Sequence, residues 1–434
     1  MMETISAAPA ASGEPGGPDR PAKQTLTTAD KVLLAGLSLF AISLTAWIIE
    51  VNRHQDMLWS PLDLGVYWEG GRAVWHGTHL YDLSYTWVHL PFTYPPFSAG
   101  VFAVAAHLPL AMLAVLVAAV DLLTLVVAAW IALGTRTWAT VPARLGSAFA
   151  IAAFGLWLEP VQQTLDFGQV NIVLMLLVLL DLKQDDRRWT KGIGVGLAAG
   201  FKLTPAIFIA YLLVTRRFRA AATALAMFAA TIGVTWIALP SESHRYWIGR
   251  LFTDSSRVGN AAYVGDQSLH GVISRLMDGS GDKLFLGLAA LVAIGGLALA
   301  AWAHRYGDEV LAILLTAATG LLVSPISWTH HWVWIVPFAG WLVAQRTFAM
   351  ALWLRITLCA GLFAAFTAWP YRTGPGGPRL PLGWLWFLPH TNDGEYKWSI
   401  GQHLAGEMYT IIGALTLAAV ATAVYRRRKV ANPA

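Results

Sequence analysis

Ionisable side chains occur within otherwise apolar sequence at three separate places in this chain. Asp63 opens the segment DLGVYWEGG, Lys202 lies within GFKLTP, and His330 and His331 are adjacent in SPISWTHHW. A carboxylate can accept a proton from a reacting hydroxyl, and an ammonium group binds phosphate as a point charge. An imidazole can donate a hydrogen bond to phosphate or carry a proton. These residue types predict proton abstraction beside a bound phosphate group.

The interpretation of Asp63 depends on the sequence that follows it. Asp63 could cap a short amphipathic surface helix through LGVYWEGGRAVW, or it could be a site residue, and residue chemistry leaves both open. Gly70 and Gly71 permit a tight turn or the close approach of a ligand. Asp82, in LYDLSY, has the stronger claim as a helix cap because a helix-like stretch follows it, so it is the weaker candidate base.

Amide side chains begin a predicted spanning segment at FGQVN. An unpaired amide is costly in an apolar setting, so Gln169 and Asn171 should each contact backbone, a neighbouring helix or a polar ligand. Helix–helix hydrogen bonds and bonds to sugar or phosphate oxygens both fit. For Lys202, phosphate binding competes with snorkelling of its ammonium group to the membrane interface. We also predict that Tyr67 and Tyr94, in the first loop, contact substrate.

The two adjacent histidines are expected to separate. Neighbouring residues in an α-helix point about 100° apart, so both rings can face one site only if the chain is unwound. We therefore expect one of His330 and His331 at the site and the other at the membrane interface. No HExxH, DxD-like or Cys/His spacing accompanies them, so phosphate binding or proton handling is favoured over a metal site.

The second and third large loops carry weaker signals. In YVGDQSLHG, Asp266 and Gln267 could line an acceptor groove or belong to a solvated loop, and we predict that they bind substrate. The Gly/Pro-rich loop 370–406 is assigned no catalytic role.

The composition requires that these residues be positioned by membrane helices. Of 434 residues, 56% are hydrophobic and only 13% are charged, whereas a soluble domain carries roughly 25% charged residues. Tryptophan favours membrane–water interfaces, and 21 of them indicate many crossings. The single Cys359 excludes an intrachain disulfide and a cysteine metal site. The basic residues form short clusters between apolar runs, which indicates membrane orientation rather than nucleic-acid binding.

The apolar runs predict an all-α polytopic membrane protein with about twelve transmembrane helices. A disordered cytoplasmic tail over 1–30 precedes them, and 97–107 is expected to be a surface or re-entrant helix. The prolines of PFTYPP predict an extended segment. The candidate spans are 31–52, 109–134, 143–159, 169–183, 191–203, 205–215, 219–239, 283–303, 308–323, 330–346, 349–369 and 407–425.

The basic clusters predict the orientation, because Lys and Arg accumulate in short cytoplasmic loops. With both termini inside, every cluster falls on the cytoplasmic face, including the basic tail 426–434. The large loops 53–96, 240–282 and 370–406 are then extracytoplasmic, and Asp63, Lys202 and the two histidines lie on that side. The membrane domain would span 31–425 of a multi-pass protein of the cell inner (plasma) membrane.

The chain resembles the actinobacterial GT-C membrane glycosyltransferases of family 87, the polyprenol-phosphate-mannose-dependent α-(1→2)-mannosyltransferases. The resemblance rests on five segments that occur in order: DLGVYWEGGRAVWHGTHLY, LPFTYPPF, FGQVN, GFKLTP and SPISWTHHW. It implies the GT-C fold and transfer of mannose from a polyprenyl-phosphate donor to a glycolipid or lipoglycan acceptor, such as a phosphatidylinositol mannoside, lipomannan or lipoarabinomannan. It also implies that Asp63 is the catalytic base and that His330 or His331 is tied to activity.

The resemblance leaves the acceptor and the donor sugar open. Enzymes of the family that add α-(1→2) mannose to phosphatidylinositol mannosides typically have D-L-H-V-Y, whereas this chain has Gly65 in place of the histidine. A related GT-C transferase could use another lipid-linked sugar, such as arabinofuranose. A transporter or flippase is a further alternative, although the chain shows none of the internal repeats that transporters often have. No Gly-rich phosphate loop is present, so no nucleotide cofactor is predicted.

Overall fold

The computed structural model describes residues 26–53, 61–134, 140–345, 347–368 and 383–431. The predicted N-terminal tail lies outside the described residues up to residue 25. The first helix begins at Thr28, slightly before the predicted span. Residues 370–382 of the third predicted outer loop also lie outside the described residues.

The described chain is almost entirely helical. Its one described sheet is a hairpin of β1 and β2, Ser84–Tyr85 and Leu90–Pro91, which pair antiparallel. The α-helices are α1 Thr28–Arg53, α2 Leu62–His76, α3 Pro96–Ala105, α4 Leu110–Leu133, α5 Val141–Leu156, α6 Glu159–Phe167, α7 Asn171–Leu182, α8 Ile193–Phe201, α9 Ile207–Val214, α10 Phe218–Ala238, α11 Pro240–Ser243, α12 Leu269–Leu276, α13 Asp282–Arg305, α14 Glu309–Val323, α15 Ile335–Ala344, α16 Leu352–Phe366, α17 Ile400–Gly406 and α18 Met408–Ala431.

The long apolar helices confirm a multi-pass, all-α membrane protein. Helices α1, α4, α10, α13 and α18 are each long and apolar enough to cross a membrane. Helices α6 and α7 together form a sixth such segment, bent by 112° at their junction. Every one of the twelve predicted spans coincides with a helix, but several of these helices are shorter than the ~20 residues that a straight crossing requires.

The main core lies between α4, α5, α7, α14 and α15, where the buried side chains are mostly Leu, Val, Ile and Ala. Helix α1 crosses α5 at a point where glycine lies in both helices, Gly36 and Gly146. A Cβ atom at Gly146 would lie 2.6 Å from the Cα atom of Leu33, so only glycine permits this separation. Such close backbone approach is a usual way for helices to associate in lipid.

The first predicted outer loop, described over residues 61–96, forms a second, smaller core together with neighbouring helices. Helix α2 packs on α3, and the hairpin closes over them. The segment before α3 is extended as predicted, with Pro95 at φ −55° and ψ 152°, and α3 confirms the helix predicted near 97–107. The turn or ligand contact predicted at Gly70 and Gly71 is wrong. Both residues lie inside α2, where a side chain at Gly70 would collide with the Phe92 ring.

Gly71→Ala is expected to destabilise the protein because α2 and α3 touch there. A Cβ atom at Gly71 would lie 2.7 Å from the backbone nitrogen of Ala103. We expect the free energy of unfolding to fall by about 1–3 kcal/mol, as it does when a core is overpacked, and the Tm in detergent to be lower. Gly100→Ala is the matched control on α3, where an added Cβ atom meets nothing within 4 Å. An equal Tm for the two variants would contradict the packing account.

The predicted cytoplasmic loops are close together in space. Arg217, after α9, forms an ion pair at 2.7 Å with Glu309, at the start of α14. Arg219 donates hydrogen bonds to the carbonyl groups of Asp186 and Arg188, in the loop after α7. Arg427, near the end of α18, donates to a backbone carbonyl between α15 and α16. Two further predicted cytoplasmic residues, Arg136 and Arg346, lie outside the described residues.

Candidate active site

A cavity of about 620 Å³, here called the central cavity, opens between the first two predicted outer loops and the ends of several apolar helices. Its walls come from the start of α2, the extended segment before α3, the α6–α7 junction, the α8–α9 break and the turn before α15. The predicted site residues that line it are Asp63, Tyr94, Gln169, Lys202, His330 and His331.

Asp63 lies in the first turn of α2 and faces the cavity. The capping interpretation is wrong, because Pro61 occupies the cap position and no side chain caps this helix. Asp63 Oδ2 instead accepts a hydrogen bond of 2.7 Å from Gln169 Nε2. Burial raises the pKa of the Asp63 carboxyl to about 6, and this increase is limited by the Gln169 hydrogen bond and by the charge of Lys202.

The orientation of Gln169 is fixed by its neighbours. The Tyr67 hydroxyl donates to Gln169 Oε1 at 2.9 Å, which turns the amide NH₂ group toward Asp63. Tyr67 is fully buried and lies behind this contact, not on the cavity surface. Gly168 precedes Gln169 at φ +66°, a left-handed conformation that ends α6 and permits the sharp bend into α7.

Lys202 is placed by a break between two helices. Helix α8 ends at Phe201, and Lys202 takes an extended conformation just before the 3₁₀ turn Thr204–Ala206, which contains Pro205 and leads into α9. Its Nζ atom donates to Asn171 Oδ1 at 3.0 Å and to His331 Nε2 at 2.8 Å. It also lies 5.4 Å from the centre of the Tyr94 ring. The ammonium group is therefore turned into the cavity, which is not the arrangement that snorkelling predicts.

The two histidines line the cavity together, so the prediction that they separate is wrong. The segment Thr329–Trp334 is a 3₁₀ turn with a non-helical residue at Trp332, which is the unwinding that brings both rings to one site. Their ring centroids are 4.8 Å apart. Among the described residues, His330 Nε2 and His331 Nδ1 are buried without a hydrogen-bond partner. A polar ligand in the cavity would relieve that cost.

Asp266 and Gln267 lie behind the cavity wall. Both side chains are fully buried, so the solvated-loop alternative is wrong. Asp266 Oδ1 accepts a hydrogen bond of 2.8 Å from the Ser327 backbone N–H, and the Gln267 N–H donates to the Ser327 carbonyl at 2.8 Å. Neither side chain is brought to the cavity. They hold the segment that leads into the histidines.

Asp82 is not the helix cap that the sequence suggested. The short hairpin follows it instead of a helix, because Ser84–Tyr85 and Leu90–Pro91 pair as strands. Its carboxylate forms two hydrogen bonds with the guanidinium group of Arg245, on an exposed surface. Asp82 does not line the central cavity.

Several lining residues were not singled out from the sequence. The third outer loop contributes Trp386, and the second contributes Tyr263 and Arg257. Glu159 is fully buried behind them and accepts hydrogen bonds from Trp386 Nε1 at 3.1 Å and from Tyr409 at 2.9 Å. The carboxylate of Glu159 could have been noticed in the sequence because it lies in the apolar segment LEPVQQ. Nothing in the sequence marked the aromatic residues as cavity residues.

Comparison with known proteins assigns the family. Residues 92–325 match the family model described as Glycosyltransferase family 87, and these residues are more than half of the chain. The chain belongs to glycosyltransferase family 87. The match includes Gln169, Asn171 and Lys202 and ends just before the two histidines. The chain is therefore an enzyme that transfers a sugar.

The glycosyltransferase has mycobacterial relatives, one of which matches it along its whole length. It is 34% identical to the polyprenol-phosphate-mannose-dependent alpha-(1-2)-phosphatidylinositol pentamannoside mannosyltransferase of Mycobacterium tuberculosis (strain CDC 1551 / Oshkosh), covering 100% of this chain and 96% of the relative. It is 38% identical to the protein of the same description from Mycolicibacterium smegmatis, covering 65% of this chain and 69% of the relative. No solved structure matches this chain.

Proposed function

We propose that this family 87 glycosyltransferase transfers mannose from polyprenyl-phosphate mannose to a mannose hydroxyl of a phosphatidylinositol mannoside, forming an α-(1→2) bond. The observation that carries the proposal is that a carboxylate with a raised pKa, Asp63, faces the same cavity as the cationic Lys202. The full-length relative whose name states this donor and a phosphatidylinositol mannoside acceptor supports the choice of substrates.

Asp63 is the general base in this mechanism. The acceptor hydroxyl approaches the sugar carbon C1, and its proton passes to the Asp63 carboxylate as the new C1–O bond forms. Gln169 holds the carboxylate through Oδ2, so Oδ1 is the oxygen that accepts the proton. One carboxylate is sufficient, because the bond between C1 and the phosphate oxygen breaks with its electron pair on that oxygen, and polyprenyl phosphate departs as a stable anion without being protonated. Direct displacement converts a β-linked donor into an α-linked product.

Lys202 and the two histidines bind the departing phosphate. The Lys202 ammonium group supplies positive charge where negative charge develops, and preorganised groups of this kind contribute strongly in an enclosed site. The unpartnered His330 Nε2 and His331 Nδ1 can donate hydrogen bonds to phosphate oxygens in the appropriate tautomers. Asn171 fixes both sides of this arrangement, since its amide donates to the His330 carbonyl at 3.1 Å and accepts from Lys202.

The pH dependence of kcat/KM should report the Asp63 carboxyl. The base must be ionised, so kcat/KM should fall by about tenfold per pH unit below the Asp63 pKa of about 6. Gln169→Leu removes the hydrogen bond that limits this pKa, and we expect the midpoint to move to higher pH. Initial rates between pH 4.5 and 8.5 test this. A midpoint that is the same in both proteins would contradict the assignment.

The proposed setting is a GT-C fold with about twelve membrane crossings in the plasma membrane. The central cavity would then open on the extracytoplasmic side, where the lipid-linked donor and the anionic glycolipid acceptor can both enter it from the bilayer. Lipomannan and lipoarabinomannan are further acceptors of the same chemical class. Cysteine labelling of an engineered Asp254→Cys variant with a membrane-impermeant maleimide in intact cells would test the orientation, since the Asp254 side chain is exposed and borders the cavity.

The choice of donor can be tested directly. Membranes that contain the protein should transfer radiolabel from polyprenyl-phosphate mannose to phosphatidylinositol mannoside, and should not do so from polyprenyl-phosphate arabinofuranose. Membranes that contain the Asp63→Asn variant are the matched control. Arabinose transfer alone would overturn the choice of mannose. Movement of the lipid across the bilayer without bond formation would overturn the transferase mechanism.

A further inference from the structure

The central cavity carries a second cationic side chain that the mechanism above does not use. Arg257 ends the short 3₁₀ turn Ser255–Arg257 in the second outer loop and lines the cavity. Its Nη2 atom donates to the Tyr81 carbonyl at 3.1 Å, and the guanidinium carbon lies 5.6 Å from the centre of the Tyr81 ring. These contacts hold the group by one nitrogen, which leaves Nε and Nη1 for other partners.

The carboxylate whose charge reaches Arg257, that of Asp82, is already paired with Arg245. Among the described residues Arg257 forms no ion pair. Asp254 also borders the cavity, but its carboxylate accepts hydrogen bonds from the backbone N–H and the hydroxyl of Ser256, at 3.2 and 2.5 Å. A half-buried guanidinium with free donors and no counter-ion is suited to an anionic ligand.

Arg257 and Lys202 face the cavity at successive points of one wall. Arg257 Nη2 lies 3.5 Å from the Phe92 carbonyl, whereas Lys202 lies over the ring of Tyr94. Phe92 and Tyr94 are separated by one residue of extended chain, so their Cα atoms are roughly 7 Å apart. Lys202 contacts His331, and its charge acts on Asp63. Arg257 instead donates to the Tyr81 and Phe92 carbonyl groups.

We infer that Arg257 binds the phosphodiester group of an anionic glycolipid acceptor. The inference rests on the proposed function, in which the acceptor is a phosphatidylinositol mannoside and thus carries one phosphodiester between its lipid and its inositol. The reaction then brings two phosphate groups to one cavity. Lys202 binds the phosphate of the donor, and Arg257 binds the phosphodiester of the acceptor. The planar guanidinium group with several N–H donors suits a phosphodiester, whereas the single ammonium group suits the terminal phosphate that departs.

Equilibrium binding to the purified full-length protein in nanodiscs tests the inference without any catalytic step. The ligands are dimannosylated phosphatidylinositol, neutral octyl α-dimannoside and polyprenyl phosphate. For Arg257→Gln we expect the Kd of the anionic mannolipid to rise by on the order of ten- to a hundredfold, the loss of a hydrogen bond to a charged group. The Kd values of octyl dimannoside and polyprenyl phosphate should change by less than about twofold.

Two further variants make the result interpretable. Arg250→Gln is the matched control, because Arg250 is exposed seven positions earlier and does not line the cavity. Arg257→Lys keeps the charge and should retain part of the preference for the anionic mannolipid. An equal or larger loss for polyprenyl phosphate would assign Arg257 to the donor and overturn the inference. An equal loss for the neutral dimannoside would overturn it as well.

The binding measurement, taken together with the mannose-transfer assay, separates this inference from the proposed function. If the wild-type protein binds both lipids but transfers no mannose, the proposed function fails. The selective loss of the anionic mannolipid in Arg257→Gln would still support a phosphodiester site. If mannose is transferred and the Kd of the anionic mannolipid is unchanged in Arg257→Gln, only the assignment of Arg257 is wrong.

Discussion

Asp63→Asn is expected to lower kcat/KM for mannosyl transfer by on the order of 10³-fold, because asparagine cannot accept the proton of the acceptor hydroxyl. The replacement keeps the size of the side chain and leaves an oxygen atom that can still accept the 2.7 Å hydrogen bond from Gln169. The protein should therefore fold and bind its substrates nearly as the wild type does. The loss should appear in kcat, with little change in either KM value.

The matched control for Asp63→Asn is Asp82→Asn. Asp82 is a second carboxylate of the first outer loop, but it is exposed and paired with Arg245, away from the central cavity. The Asp82→Asn variant should transfer mannose at the wild-type rate. Initial rates with purified protein, together with Tm values that show equal folding, would make the comparison. Full activity of Asp63→Asn at an unchanged protein level would show that Asp63 is not the base.

Lys202→Met is expected to lower kcat/KM by on the order of 10²- to 10³-fold, as when a preorganised stabiliser of developing negative charge is removed. The donor KM should rise, and inhibition by the product polyprenyl phosphate should weaken, because both carry the phosphate that Lys202 contacts in the proposed mechanism. Lys202→Arg should recover only part of the activity, since the larger planar group cannot reproduce the bonds to Asn171 and His331.

A second consequence separates loss of charge from general disruption. The positive charge of Lys202 lowers the pKa of the Asp63 carboxyl, so Lys202→Met should move the midpoint of the pH profile above 6. Lys283→Met, at an exposed position near the start of α13, is the control and should leave the profile unchanged. A Lys202→Met variant with normal donor KM and an unmoved midpoint would contradict the phosphate assignment.

The parts of the fold set by local sequence were predictable. Long apolar runs identified the helices because hydrophobic length is read directly from the chain, and the prolines near Pro95 identified the extended segment. Asp63 and Lys202 stood out because a charge in apolar sequence is costly. All three inferences depend on residues that are near one another in sequence.

The parts set by long-range packing were not predictable in the same way. A 3₁₀ turn brings His330 and His331 to one cavity, and two adjacent histidines in the sequence do not indicate such a turn. The backbone approach at Gly71 depends on α3, about thirty residues later in the chain. Asp266 looked like a loop residue, yet it is buried by contacts with Ser327, which is distant in sequence.

The departure at Gly65 has a structural correlate. Gly65 is buried in α2, and an added Cβ atom would lie 3.1 Å from the methyl group of Thr86 in the hairpin. A side chain here would require the Thr86 methyl group to move by a few tenths of an ångström. The difference therefore concerns how the hairpin packs on the helix that carries Asp63.

The most direct test of the central claim is the linkage formed by the purified protein in liposomes. The protein would be supplied with β-linked polyprenyl-phosphate mannose labelled with ¹³C at C1 and with a phosphatidylinositol mannoside, and the product would be analysed by NMR. The account predicts an α-(1→2)-mannoside from the wild type, which means one inversion, and no product from Asp63→Asn. A product that retains the β configuration, or equal product formation by Asp63→Asn, would contradict a single displacement with Asp63 as its base.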